Sequence, residues 1–295
     1  MAQAQTYHWT GPLTVLAGGF CIGFAPIMMR FAEADLGPQA IAMWRFFFAV
    51  PILFLIVIAT MKRLPVRPNK FIILGGIFFA SDIALWHWSL SLTTVANATF
   101  IVNLGNIGVG LLAWIFLKER LTIFWVMAIA MALTGAAALS QGGVEAAIQP
   151  DVKGDILALI AACFLSAYIL CSKIARRTIS AVEAMFWLTL VELFMSIIFV
   201  KISGEAFFPK SSAGYFWPFM LAIVVQILGQ GLIVTGLGKT PASIAGVMIL
   251  LQPVVATIAA WGFFGEHLSN FQIGGGLLIL LAIWLAQQGR AKQPS

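Results

Sequence analysis

Ten apolar stretches, most about twenty residues long and so each able to span a bilayer, fill nearly all of this chain, and the second five echo the first five. The clearest echo runs from "TTVANATFIVNLGNIGVGLLAWIFLKERLT" (Thr93–Thr122) to "TPASIAGVMILLQPVVATIAAWGFFGEHLS" (Thr240–Ser269). One constant shift carries Thr93 onto Thr240, Trp114 onto Trp261, Glu119 onto Glu266 and Thr122 onto Ser269. An odd number of spans per repeat forces the two copies into opposite orientations in the membrane, the arrangement from which many carriers build a site that opens to either side.

Composition leaves lipid as the only solvent for such a chain. With 61% hydrophobic residues, 9% charged residues and a mean hydropathy of +0.99, a soluble globular domain is excluded. The pattern predicts an all-α membrane protein with spans at 12–31, 38–60, 71–92, 94–117, 121–140, 154–173, 181–201, 215–238, 240–264 and 269–288. The linker "QGGVEAAIQPDVK" (Gln141–Lys153) is the longest, and it divides the chain into a first repeat, 1–146, and a second, 147–295. Weaker matches extend the echo: Gly11 falls on Gly154, Arg30 on Lys173 and Ala42-Met43 on Ala184-Met185.

The net charge of +6 is topology information. With the N-terminus in the cytoplasm, inside loops hold Lys62, Arg63, Arg67, Lys70, Lys118, Arg120, Lys173, Arg176, Arg177, Lys239, Arg290 and Lys292, whereas Arg30, Lys153, Lys201 and Lys210 fall outside. This bias predicts cytoplasmic N- and C-termini, and it argues against a nucleic-acid partner. Cys21, Cys163 and Cys171 all lie in spans and imply no disulfide framework. Met1–Gly11 lacks the basic start of a cleaved signal, so the first span is expected to act as its own insertion signal.

Each half closes with a short hinge, an acidic residue and a Gly- or Ala-rich final span, "WIFLKERLTIFWVMAIAMALTGAAAL" and "WGFFGEHLSNFQIGGGLLILLAIWL". These endings resemble the paired EamA domains of the drug/metabolite transporter superfamily, over essentially the whole chain. The resemblance implies ten spans, cytoplasmic ends and transport. Within the superfamily, "MWRFFFAVP" (Met43–Pro51) and "ALWHWSLSLTTVANATFIVNL" (Ala84–Leu104) are similar to the YddG-type aromatic amino acid exporters. That implies export of neutral and aromatic amino acids from a bacterium across its cytoplasmic (inner) membrane, by a monomer without a cofactor. A broad exporter of hydrophobic drugs or metabolites is the alternative.

A carrier needs polar groups near the midplane, and irregular backbone is tolerated there only where it lines a cavity. The fourth span supplies Asn97, Asn103, Gly105 and Asn106; the ninth supplies Gln252 and Pro253, onto which Gly105-Asn106 falls. Gly105 and Pro253 are therefore hinge candidates, with close helix packing as the competing reading. The third span carries Asp82, Trp86, His87 and Trp88, three consecutive rings of which at most two can face one point. Tyr168 adds an aromatic wall with a hydroxyl, and Gln226 and Gln230, four residues apart, add amides that both donate and accept. Aromatic faces attract an ammonium and stack on aromatic substrates.

Arg45, Asp82 and Glu192 are charges at membrane depth and count as functional candidates. Counted from the Met61–Lys70 linker, Arg45 lies roughly 24 Å up the second span and Asp82 roughly 18 Å up the third, so a pair between them is expected. Glu192 has no partner evident in the sequence and is either a proton-coupling group or a glutamate bonded to a neighbouring helix. Glu119 and Glu266 sit at span junctions and are expected to cap the final helix of each repeat. No HExxH helix, GxSxG elbow or paired intramembrane aspartates suggest an enzyme or a metal site, and no ring of like charge suggests a channel.

Overall fold

The computed structural model describes residues 10–140, 151–264 and 269–291. Among these, ten helices are long and apolar enough to cross a membrane: α1 Thr10–Ala32, α2 Pro38–Met61, α3 Lys70–Leu90, α4 Asn97–Leu117, α5 Ile123–Ser140, α6 Val152–Ala175, α7 Ala181–Ser203, α8 Ser212–Leu237, α9 Ala242–Phe264 and α10 Asn270–Gln288. The expected spans agree with these to within a few residues. Backbone polar groups in lipid must be satisfied inside the segment, so every span is helical.

Local chemistry sets where the helices begin. Asn69 accepts from the Ile72 N–H at 3.0 Å to start α3, and Thr94 accepts from Asn97 at 3.1 Å to start α4. Ser180 starts α7 by accepting from the Glu183 N–H at 3.3 Å, and its hydroxyl donates to Glu183 Oε2 at 2.8 Å. At the far ends, α2 stops at Lys62 with φ 53° and α7 stops at Gly204 with φ 72°. These left-handed caps occupy equivalent places in the two repeats.

The packing has the same two-fold logic. α3 lies on α6 as α1 lies on α8, while α2 on α7, α4 on α9 and α5 on α10 are pairs that the repeat relation maps onto themselves. Gly154 and Gly11, matched in the sequence, make the same close approach: a Cβ on Gly154 would stand 2.8 Å from the Thr93 nitrogen, and one on Gly11 2.7 Å from the Thr240 hydroxyl. Two basic residues assigned to topology also act as caps. Lys173 donates to the carbonyls of Leu237 and Thr240 at 2.6 Å each, and Arg176 donates to Val234 at 3.2 Å, at the C-terminal end of α8.

Three spans are broken. α1 breaks at Gly23–Phe24, α4 at Leu104 and α9 at Leu250. At the last two, i→i+3 bonds replace the helical ones: Leu104 donates to Ile101 at 3.0 Å and Leu250 to Val247 at 3.2 Å. α8 is wound as a π-helix over Ala222–Gln230, the segment that carries both of its glutamines.

Candidate functional site

α2, α3, α6, α7 and α8 bring most of the polar candidates together. Arg45, Asp82, His87, Tyr168, Glu192, Gln226 and Gln230 are all buried. The Tyr168 hydroxyl donates to Gln230 Oε1 at 3.1 Å, and Gln226 Nε2 donates to Thr189 Oγ1 at 2.9 Å and to Glu192 Oε2 at 2.7 Å. Winding α8 as a π-helix widens the turn that presents these two amides, a departure common at functional sites. The cluster is also coupled through charge. The Arg45 guanidinium and the Glu192 carboxyl lie near enough to attract each other.

The expected Arg45–Asp82 ion pair does not form: no contact within 4.0 Å joins them. The Arg45 guanidinium lies over the Phe46 ring, 4.6 Å from its centroid, and 6.0 Å from that of Phe79. Glu192, which the sequence left without a partner, has one in the Gln226 amide, with Arg45 nearby but not in contact. Several buried atoms meet no partner within the protein, among them Arg45 Nε and Nη2, Asp82 Oδ1, Trp86 Nε1, His87 Nδ1 and Asn106 Oδ1. Unsatisfied buried polar atoms are rare in native folds, so a group of them calls for a partner such as water, an ion or a ligand.

Aromatic rings pack on two members of this cluster. Phe79 packs on Tyr168 with centroids 4.5 Å apart, and Trp86 on His87 at 5.3 Å. Trp88 meets Phe199 of α7 edge-on at 5.8 Å, so of the three consecutive rings it is the one committed to packing.

The remaining candidates make other contacts. Asn97 stands in the first turn of α4. The Asn103 carbonyl accepts from Asn106 Nδ2 at 3.0 Å, and Asn106 faces Gly246 where α4 crosses α9. Gln252 turns toward α1, its carbonyl against Gly23. Gly105 follows the α4 break, its carbonyl held by the Ser166 hydroxyl at 2.7 Å, and a Cβ there would meet the Ala162 carbonyl at 2.6 Å. Close packing thus operates at Gly105. Pro253 lies in the first turn after the α9 break.

Glu119 corrects an expectation. Its carboxylate accepts from the Ala242 N–H at 2.8 Å, the Ser243 N–H at 3.0 Å and the Ser243 hydroxyl at 2.7 Å, so it caps α9 rather than the following α5. Glu266, expected to do the equivalent, lies outside the described residues. Sequence reasoning also passed over Asp155, which accepts from Thr93 Oγ1 at 2.7 Å, and Glu183, which pairs with Arg63 at 2.8 Å. The signal for Glu183 was present in the Ser180-x-x-Glu183 spacing. An apolar groove lined by Phe20, Phe24, Val255, Ile258 and Trp261 lies on the lipid-facing surfaces of α1 and α9 and brings no polar group to a substrate.

The EamA-like transporter family matches the chain twice, at residues 9–141 and 152–287. An uncharacterized transporter of Bacillus subtilis, YyaM, is 25% identical over 88% of this chain and 87% of its own length. An uncharacterized transporter of Archaeoglobus fulgidus is 26% identical over 91% of this chain and 95% of its own. Solute carrier family 35 member G1 of Mus musculus is 20% identical over 74% of this chain, which spans 61% of that protein. A protein of known crystal structure shares the fold with a TM-score of 0.83 at 17% identity, over 96% of this chain and 99% of that one.

Proposed function

Because this chain belongs to the EamA-like transporter family, a family of membrane-embedded transporters, we propose that it exports neutral and aromatic amino acids by alternating access, across a bacterial cytoplasmic membrane. The observation that carries this reading is the set of buried, unpartnered polar atoms on Arg45, Asp82, Trp86 and His87, held beside the Phe79–Tyr168 ring pair. An amino acid needs donors for its carboxylate, acceptors for its ammonium and apolar or aromatic walls for its side chain, and these residues offer each. A phosphate-bearing substrate calls for several buried cations, and this cluster has one arginine against two carboxyls. The similarity of Met43–Pro51 and Ala84–Leu104 to aromatic amino acid exporters supports the substrate class and the outward direction.

The test is counterflow in proteoliposomes with a substrate panel, run with and without a proton gradient. Labelled tryptophan, phenylalanine and threonine are expected to exchange against unlabelled amino acid faster than net flux proceeds. If no amino acid competes while lipophilic cations do, the protein is a drug exporter and the proposal fails.

A further inference from the structure

Resting on the reading of this cluster as an amino acid site, we propose that Arg45 takes the substrate's carboxylate and Asp82 its ammonium, so that two separate helices recognise the zwitterion from its two ends. Both residues are only 6% exposed, and each keeps atoms that no group of the protein satisfies. The unpartnered Arg45 atoms are Nε and Nη2, which form one edge of the guanidinium. That edge is a pair of parallel donors matched to the two oxygens of a carboxylate. The rings of Phe46 and Phe79 support the guanidinium face and leave the edge available.

Among the acids facing Arg45 and its neighbours, Asp82 is the one left for an ammonium. Glu192 already accepts from Gln226, and the Tyr168 hydroxyl is committed to Gln230. His87, the remaining titratable neighbour of Arg45, adds an unpartnered ring nitrogen rather than a carboxylate. The spacing also suits a small zwitterion. Gln39 Nε2 donates to the Ala84 carbonyl at 3.0 Å, which sets the register of α2 against α3. From that contact Arg45 lies six residues toward the cytoplasmic end of α2 and Asp82 two residues toward the same end of α3, an axial offset of about 6 Å. The N–Cα and Cα–C bonds place an ammonium within about 3 Å of its own carboxylate oxygens. With a hydrogen bond of about 2.8 Å at one or both ends, such a molecule is long enough to span that axial offset.

The experiment measures competition against labelled phenylalanine in proteoliposomes by unlabelled phenylalanine, 3-phenylpropionate (no ammonium) and phenethylamine (no carboxylate). In the wild type both truncated compounds are expected to compete at least about tenfold more weakly, because each leaves one buried charge unpaired. Arg45→Gln should bring phenethylamine level with phenylalanine while phenylpropionate stays weak; Asp82→Asn should do the reverse. These are ratios within one variant, so they do not depend on how much protein folds. If the neutral variants do not fold, Arg45→Lys and Asp82→Glu carry the same test, each expected to narrow only its own ratio. Phenylalanine transport with ratios unchanged in all variants would overturn the assignment and leave the amino acid reading standing. Failure of phenylalanine itself to compete in the wild type would overturn that reading instead.

Discussion

The indole N–H of Trp187 donates to the backbone carbonyl of Val66 at 2.7 Å, which ties the α2–α3 linker across the N-terminal end of α7. The same linker gives its Val66 N–H to Glu183 at 3.2 Å. At the opposite face the relation repeats: Trp44 of α2 donates to the Phe207 carbonyl of the α7–α8 linker at 2.6 Å, and Glu205 accepts from the Ala40 N–H at 2.9 Å. Both straps are formed at once, one at each end of the α2–α7 pair, and each is expected to hold that frame rather than to gate access. Trp187→Phe and Trp44→Phe are each expected to lower the unfolding free energy by about 1 kcal/mol, one neutral hydrogen bond, with exchange rates preserved. Thermal unfolding in detergent and counterflow check this. A variant that keeps its stability and loses exchange would make its strap a gate.

Glu119 is expected to matter for stability well beyond its place in a short linker. Its carboxylate satisfies two backbone N–H groups and a hydroxyl at the positive end of α9. Glu119→Gln removes the charge and is expected to cost about 1–2 kcal/mol. Ser243→Ala deletes one of the three bonds and should cost less. Denaturation midpoints of the two variants decide it; equal stability of Glu119→Gln and wild type would remove the capping role.

Pro253 has no N–H to offer the Ile249 carbonyl four residues back, which accounts for the α9 break at Leu250. Pro253→Ala permits that bond and is expected to straighten α9 and slow exchange more than it weakens substrate binding. Gly105→Ala acts by another route, since the new Cβ meets the Ala162 carbonyl, and it should lower stability. An unchanged exchange rate in Pro253→Ala would leave α9 without a hinge there.

The bias of basic residues predicts a cytoplasmic α2–α3 linker and an outer α7–α8 linker. Leu64 and Phe208 are exposed on these two linkers. In a background free of the three native cysteines, Phe208→Cys is expected to react with an impermeant maleimide in intact cells, and Leu64→Cys only after the membrane is disrupted. The opposite pattern would invert the topology.

Much of the fold was legible in the chain because a membrane span is a local property. Lipid satisfies no backbone group, so twenty apolar residues specify a helix without help from distant partners. The repeat was legible for a related reason, since matched residues such as Gly11 and Gly154 meet equivalent junctions in both halves. Burial of Arg45, Asp82 and Glu192 followed from their position within apolar runs.

Partner choice was a different matter. The sequence by itself determined which residues lie at each depth, because depth follows from distance along a helix. Only the tertiary structure decided which residue each one faces, because that depends on helix rotation and on which helix of the inverted copy arrives alongside. Arg45 and Asp82 lie at heights that permit a pair, yet the guanidinium rests against the rings of Phe46 and Phe79 and makes no ion pair with Asp82. Glu119 is adjacent in sequence to the start of α5, but the crossing of the two repeats brings the N-terminal end of α9 to its carboxylate. Hydrogen bonding between helices is set by these crossings, and no period or composition along one chain encodes them directly.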